Sequence, residues 1–200
     1  MIYYKQFKPY EIKEYGKRKK YDNNVYTFDI ETSSFIEYRG QVYDALKYEE
    51  LDEKERKEMI PRSCMYIWMF GINDTVYYGR TWDEFKEFIK MIDDYNPLRK
   101  IIFIHNLAFE FQYLYSNIQM ENVFARKAHK VIKAEFKNYN FELRCTYMMS
   151  NVKLEKLSEV YNLPVKKLVG NLDYKLIRHS KTPLTDKELE ILLITNLPSL

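Results

Sequence analysis

Val25-Tyr26-Thr27-Phe28-Asp29-Ile30-Glu31-Thr32-Ser33-Ser34 is the stretch from which the fold is read. Its β-branched and aromatic residues predict a strand. Side chains alternate across a strand, so Tyr26, Phe28 and Ile30 share an apolar face, and Asp29 and Glu31 project together from the other. Two carboxylates side by side at the end of a buried strand repel each other and lose hydration. A divalent cation removes both penalties, because hard cations take oxygen ligands. The same spacing also fits a strand end whose acids simply face water. The strand alone leaves both readings open.

The chain has 200 residues, enough for one α/β domain with a real core. Hydrophobic residues make up 46% and charged residues 30%, the balance of a soluble globular protein. No apolar run approaches the ~18 residues that span a bilayer. Met1-Ile2-Tyr3-Tyr4-Lys5 lacks the apolar core of a signal peptide. A cytoplasmic protein without a membrane partner is expected. Cys64 and Cys145 lie in strand-like segments without zinc spacing, which reads as two buried thiols in a reducing compartment; a disulfide is the other option. A net charge of +3 does not announce nucleic acid. Nineteen Tyr either line a core through bonded hydroxyls or stack bases, and composition does not separate the two.

Residues 5–20 are basic and end in Lys17-Arg18-Lys19-Lys20, which reads as a solvated arm or edge element. Residues 35–62 are highly charged and read as an exposed helix or insertion stopped by Pro61. The apolar run Cys64–Phe70 suits a central strand buried on both faces. Gly71-Ile72-Asn73-Asp74 turns the chain into a second strand at Thr75–Tyr78, a hairpin. Thr81 and Glu84 have capping-box spacing before a helix with Phe85, Phe88, Ile89 and Ile92 inward. Asn96-Pro97 ends it. Ile101–Ile104 is another buried strand and runs into a helix carrying Leu107, Phe111 and Leu114. Residues 122–147 read as a hairpin around Asn138-Tyr139-Asn140. Residues 153–161 read as a helix with Leu154, Leu157 and Val160 inward. Thr185 and Glu188 cap a last helix.

Glu110 is the third candidate ligand, on the first turn of the helix after a buried strand. Carboxylates converging from several strand ends are how a two-metal site is built, with ions about 3.5–4 Å apart. Alone, Glu110 would be an ordinary acid at a helix N-terminus. The preceding His105-Asn106 sets it apart.

Three segments together resemble a known family. Phe28-Asp29-Ile30-Glu31-Thr32 resembles the first exonuclease motif of family B DNA polymerases. Ile104-His105-Asn106-Leu107-Ala108-Phe109-Glu110 resembles the second, in the form used by protein-primed phage polymerases. Leu163–Tyr174 resembles the family's Lys-Gly-Asp-x-Asp-Tyr region. Order and spacing match over residues 22–190. The resemblance implies a single RNase H-like, DnaQ-type 3′–5′ exonuclease domain, with a mixed central sheet flanked by helices. It implies two Mg²⁺ or Mn²⁺ ions held by Asp29, Glu31 and Glu110, hydrolysing the last phosphodiester at the 3′ end of single-stranded DNA. It implies strand contacts at Thr32, His105, Asn106 and Phe109, and at Thr146, Tyr147 and Tyr174; for Tyr147 and Tyr174 a core role stays open. A polymerase domain or a terminal protein is the implied partner in a complete family member, and a bacterial or phage-infected cell the implied setting.

The chain also departs from the family. The third motif is Tyr-x-x-x-Asp on the last helix, and its positions fall on Ile191 and Thr195. The family's basic residue before the Gly is replaced by Val169. The tail 191–200 has no family character and reads as the end of a truncated or frame-shifted gene, with no polymerase domain following. An exonuclease of reduced activity is therefore expected. The alternative is a catalytically inactive module of the same fold that binds single-stranded DNA or a partner.

Overall fold

The computed structural model describes residues 1–16, 18–38, 40–44, 52–153, 156, 160 and 172–196. Strands β1 (Ile2–Tyr3), β2 (Glu14–Tyr15) and β3 (Arg18–Asp22) come first. Then follow β4 (Tyr26–Tyr38), β5 (Gln41–Asp44), helix α1 (Glu53–Glu58), β6 (Ile60–Ile72) and β7 (Thr75–Gly79). Helix α2 (Trp82–Tyr95) leads to β8 (Lys100–Ile104) and α3 (Leu107–Asn117). Strands β9 (Met120–Ala125), β10 (Val131–Phe136) and β11 (Phe141–Cys145) precede α4 (Thr146–Ser150), and α5 (Asp186–Asn196) comes last.

One mixed sheet organises these elements, in the order β1-β7-β6-β4-β8-β11-β10-β9, with β5 on the far end of β4. Strands β4, β8 and β11 run parallel, and β6 and β10 run against them. With helices packed on the sheet, this is the RNase H-like α/β architecture expected from the sequence. One face of β4 and β6 presents Tyr26, Phe28, Trp68 and Phe70 to Phe85, Phe88, Ile89 and Ile92 of α2. The other face of β6 presents Tyr66, Ile67 and Met69 to Leu192 of α5. Strand β6 is thus buried on both faces, as its unbroken apolar run predicts. Each large apolar side chain so buried contributes roughly 1.5–3 kcal/mol.

The predicted caps form. Thr81 Oγ1 accepts from Glu84 N at 3.2 Å, and a Glu84 carboxylate oxygen accepts from Thr81 N at 3.0 Å. Thr185 and Glu188 repeat the box at 3.2 and 2.8 Å. Asn73 takes φ 49° in the β6–β7 turn. Both thiols are unbridged; Cys145 is buried and Cys64 half-buried.

Three expectations change. Of the two readings of residues 5–20 the edge element holds and the solvated arm does not: Phe7 and Tyr10 pack on the core beside the buried Tyr4, and β2 pairs with β3 in a small sheet of their own. Rings there gain more by burial than the nearby lysines gain by hydration, and Tyr4 keeps a partner in Glu87 at 2.7 Å. The exposed helix expected within residues 35–62 forms as α1, but Pro61 lies beyond its end, within β6 opposite Ile36, because β4 and β6 stay paired out to Glu37 and Ile60. Charged residues suit such a solvated ribbon as well as they suit a helix. Val160 is 59% exposed and not inward; apolar periodicity supplies no surface to pack on. Leu154 and Leu157 lie outside the described residues.

Gly79 shows how tightly the sheet packs on Trp68. A Cβ there would stand 2.4 Å from the Trp68 ring, whose indole donates to Thr81 O at 2.9 Å. Gly79→Ala is expected to cost about 1–3 kcal/mol through overpacking, read as a lower denaturation midpoint in urea with an unchanged slope.

Candidate active site

Strands β4 and β8 pair only at Tyr26↔Ile102 and Thr27↔Phe103. Beyond that point β4 continues while β8 ends, and Asp29 stands at the gap. The chain leaves β8 through His105 and Asn106. Asn106 has φ 67°, a left-handed conformation that Asn tolerates better than most residues. That turn starts α3 at the edge where the parallel strands end, the usual place for sites on open α/β sheets. Leu107 and Leu114 anchor α3 in the core. Glu110 follows on the first turn and is 4% exposed.

Glu110 lies close enough to Asp29 for the two carboxyl groups to act on each other. Burial first, and the Asp29 charge second, push the Glu110 carboxyl up to about 9. The favourable helix N-terminus does not offset this. Glu110 Oε2 is buried without a hydrogen-bond partner. Without a cation the pair therefore holds a proton at neutral pH. Asp29 also accepts from Ile30 N at 2.9 Å.

Glu31 is the last residue of β4 before a β-bulge in its pairing with β6. It pairs with Ile67, and Thr32 with Met65, leaving Tyr66 as the extra residue on β6. Tyr66 and Ile67 consequently face the same side, in the cluster under α5. The Tyr66 hydroxyl is buried and makes no hydrogen bond. Burial raises its pKa most, followed by the charge of Glu31. Tyr174 is 63% exposed; burial of its hydroxyl, then Glu31 and Asp29, raise its pKa. Tyr174 thus lies within electrostatic reach of both strand acids.

The remaining candidates line the rim. Thr32 is half-buried, and Asn106 and Phe109 are exposed, Phe109 at 39%. His105 Nδ1 and Thr146 Oγ1 are 3.0 Å apart. The His105 ring meets Tyr147 edge-on at 5.7 Å. The structure therefore brings Asp29 to Glu110, Tyr174 to Asp29 and Glu31, and His105 to Thr146 and Tyr147. Among the described residues, no three His, Cys, Asp or Glu side chains stand together as a group able to hold a metal ion. Ile191, at the third-motif position, is half-buried and packs on the cluster around Tyr66. Val169 lies outside the described residues.

The Asp29–Glu110 pair nonetheless fits a hard cation: an oxygen-only donor set, with like charges in contact and one buried oxygen left without a partner. Sequence reasoning missed Tyr66 and Arg178. Arg178 is buried, bonds Glu188 at 2.7 Å through Nη2 and Asp173 O at 2.7 Å through Nη1, and lies 5.9 Å from the Tyr66 ring. It ties the segment bearing Tyr174 to α5. A basic residue in an irregular stretch carries no local signal of burial, and Tyr66 is hidden in an apolar run.

No family model matches the chain, and no curated protein matches it. Solved structures do match. The chain is similar in fold to phi29 DNA polymerase. Against that polymerase complexed with single-stranded DNA the TM-score is 0.54, with 14% identity over 86% of this chain and 30% of the other. Against its complex with primer-template DNA and incoming nucleotides the TM-score is 0.56, with 13% identity over 87% and 30%. The chain thus spans about 30% of the length of the polymerases it matches.

Proposed function

We propose that the chain is a 3′–5′ exonuclease domain related to those of protein-primed family B DNA polymerases, acting on single-stranded DNA 3′ ends. The observation that carries this reading is the buried Asp29–Glu110 pair at the ends of the parallel strands, with an unpartnered Glu110 oxygen. Asp29 and Glu110 would hold Mg²⁺ or Mn²⁺, with Glu31 as the further ligand that the resemblance implies. Such an ion, when bound, supplies Lewis-acid activation of water and neutralises charge building on the phosphodiester.

The chain's own residues do the rest. Phe109 offers an exposed ring to stack the terminal base. Asn106 and Thr32 donate to phosphate or sugar. The His105–Thr146 contact fixes the turn that presents Asn106. Tyr174, beside both strand acids, places a phenol near the scissile position. The third motif's Tyr and Asp have no equivalent at Ile191 and Thr195, so a turnover below that of a complete family member is expected.

A second reading has its own support. The lack of a three-ligand group among the described residues favours an inactive module that binds single-stranded DNA and keeps the acid pair protonated. Titration with Mn²⁺, followed by its electron paramagnetic resonance signal, separates the two. The nuclease reading expects saturable binding that is lost in Asp29→Ala. Binding that ignores Asp29→Ala would remove the basis for the metal assignment.

A further inference from the structure

The sheet face bearing Asp29 is covered unevenly. Residues of α5 cover β6. Over β8, β11 and β10 the same face carries Phe103, Arg144, Lys133, Glu142 and Glu135, a shared side fixed by the pairs Phe103↔Arg144, Lys133↔Arg144 and Glu135↔Glu142. The acids lie beneath: the side chains of Glu135 and Glu142 are 6% and 1% exposed, and those of Arg99, Lys133 and Arg144 above them 36%, 37% and 38%. Solvent meets these three cations over most of the face, with the exposed Glu121 opposite Glu135 at its β9 end. A cleft of about 310 Å³ opens on this face, lined by Tyr21, Asn23, Phe103 and Arg144 among others. Phe124, opposite Lys133 on β9, is 61% exposed. Because Thr27 pairs with Phe103, the face continues along β4 to Asp29, two residues on.

We propose that this face is a second contact for single-stranded nucleic acid, outside the motif residues. An unpaired base enters the cleft against Phe103 and Tyr21, and Arg99, Lys133 and Arg144 follow the phosphates. Cations flanked by rings on an open sheet are the chemistry of single-strand binding, where bases stack and the backbone is neutralised. An acidic protein surface would meet the same cations but has no use for the ringed cleft. The inference rests on the exonuclease reading only for its direction, in which the strand runs on to Asp29.

Fluorescence anisotropy of the full chain with a labelled oligothymidine, in EDTA so that no cleavage occurs, tests it. Arg144→Gln is expected to weaken binding several-fold and to flatten the salt dependence by roughly 0.7 in log–log slope. Phe124→Ala should weaken binding about fivefold or more with the slope unchanged. Thermal melting checks that each variant folds, and Lys133→Gln replaces Arg144→Gln if that variant does not. Wild-type affinity in folded variants overturns the proposal. So does absence of binding by the wild type, which would assign the face to a protein partner. Failure of the exonuclease reading looks different: binding in EDTA intact and sensitive to these variants, with no mononucleotide released in a parallel incubation with Mg²⁺.

Discussion

Glu110→Gln is expected to abolish metal-dependent nuclease activity while making the metal-free protein more stable at pH 8. The folded Glu110 carboxyl keeps its proton up to about pH 9, whereas an ordinary glutamate releases it near 4.5. A folded state that binds a proton more tightly than the unfolded chain loses stability as pH rises through that window. The wild type without metal should therefore melt at higher temperature at pH 5 than at pH 8, as far as this pair decides. Gln is neutral throughout and removes the slope. The expected gain at pH 8 is about 1–3 kcal/mol, several degrees in Tm for a domain of this size. Activity should fall about 10³-fold, since Lewis-acid stabilisation is worth several kcal/mol. Melting curves at the two pH values in EDTA, beside nuclease rates with Mg²⁺, check both halves. An unchanged pH slope in Glu110→Gln would show that the acid pair is not the strained element described here.

Lys100→Ala should be among the most destabilising single changes, at about 3–5 kcal/mol. Lys100 opens β8 and is fully buried. Its Nζ bonds Asp93 at 2.9 Å and the carbonyls of Leu98, at 2.8 Å, and Asn96, and it stands 4.7 Å from the Phe141 ring centroid. Burial lowers its pKa, opposed by Asp93. Removing the ammonium leaves the Asp93 carboxylate with only Asn140 as donor and strands two carbonyls at the junction between α2 and β8. Because β8 ends at the Asp29 gap, slack at its start reaches the site. Urea denaturation measures the loss. A cost under about 1 kcal/mol would mean that water replaces the ammonium there.

Much of this fold is legible in the sequence because its signals are local. Alternation marks Tyr26–Ile30 as a half-apolar strand, and an unbroken apolar run marks β6 as central. Thr81–Glu84 and Thr185–Glu188 announce helix starts through contacts three residues apart. What is not legible depends on distant pairing. The bulge that turns Tyr66 towards Glu31 exists only because β4 and β6 pair over their whole length. The rings of Tyr4, Phe7 and Tyr10 read equally as core or as base-stacking surface until a neighbour covers them. Arg178 and Lys100 are buried cations whose partners come from other elements. At the site, the placement of Asp29 and of Glu110 each follows from local reading, but their contact does not. It needs the β4–β8 pairing to stop two residues short of Asp29 and Asn106 to turn left-handed.

The central claim is a 3′-end nuclease built on the Asp29–Glu110 pair, and its most direct measurement is the digestion pattern of 5′-labelled single-stranded DNA with Mg²⁺ or Mn²⁺. The expected result is stepwise shortening from the 3′ end, slower than by a domain with a complete third motif, stopped by EDTA and by Asp29→Ala. Intact DNA under all these conditions, or shortening that Asp29→Ala leaves unchanged, would contradict the claim.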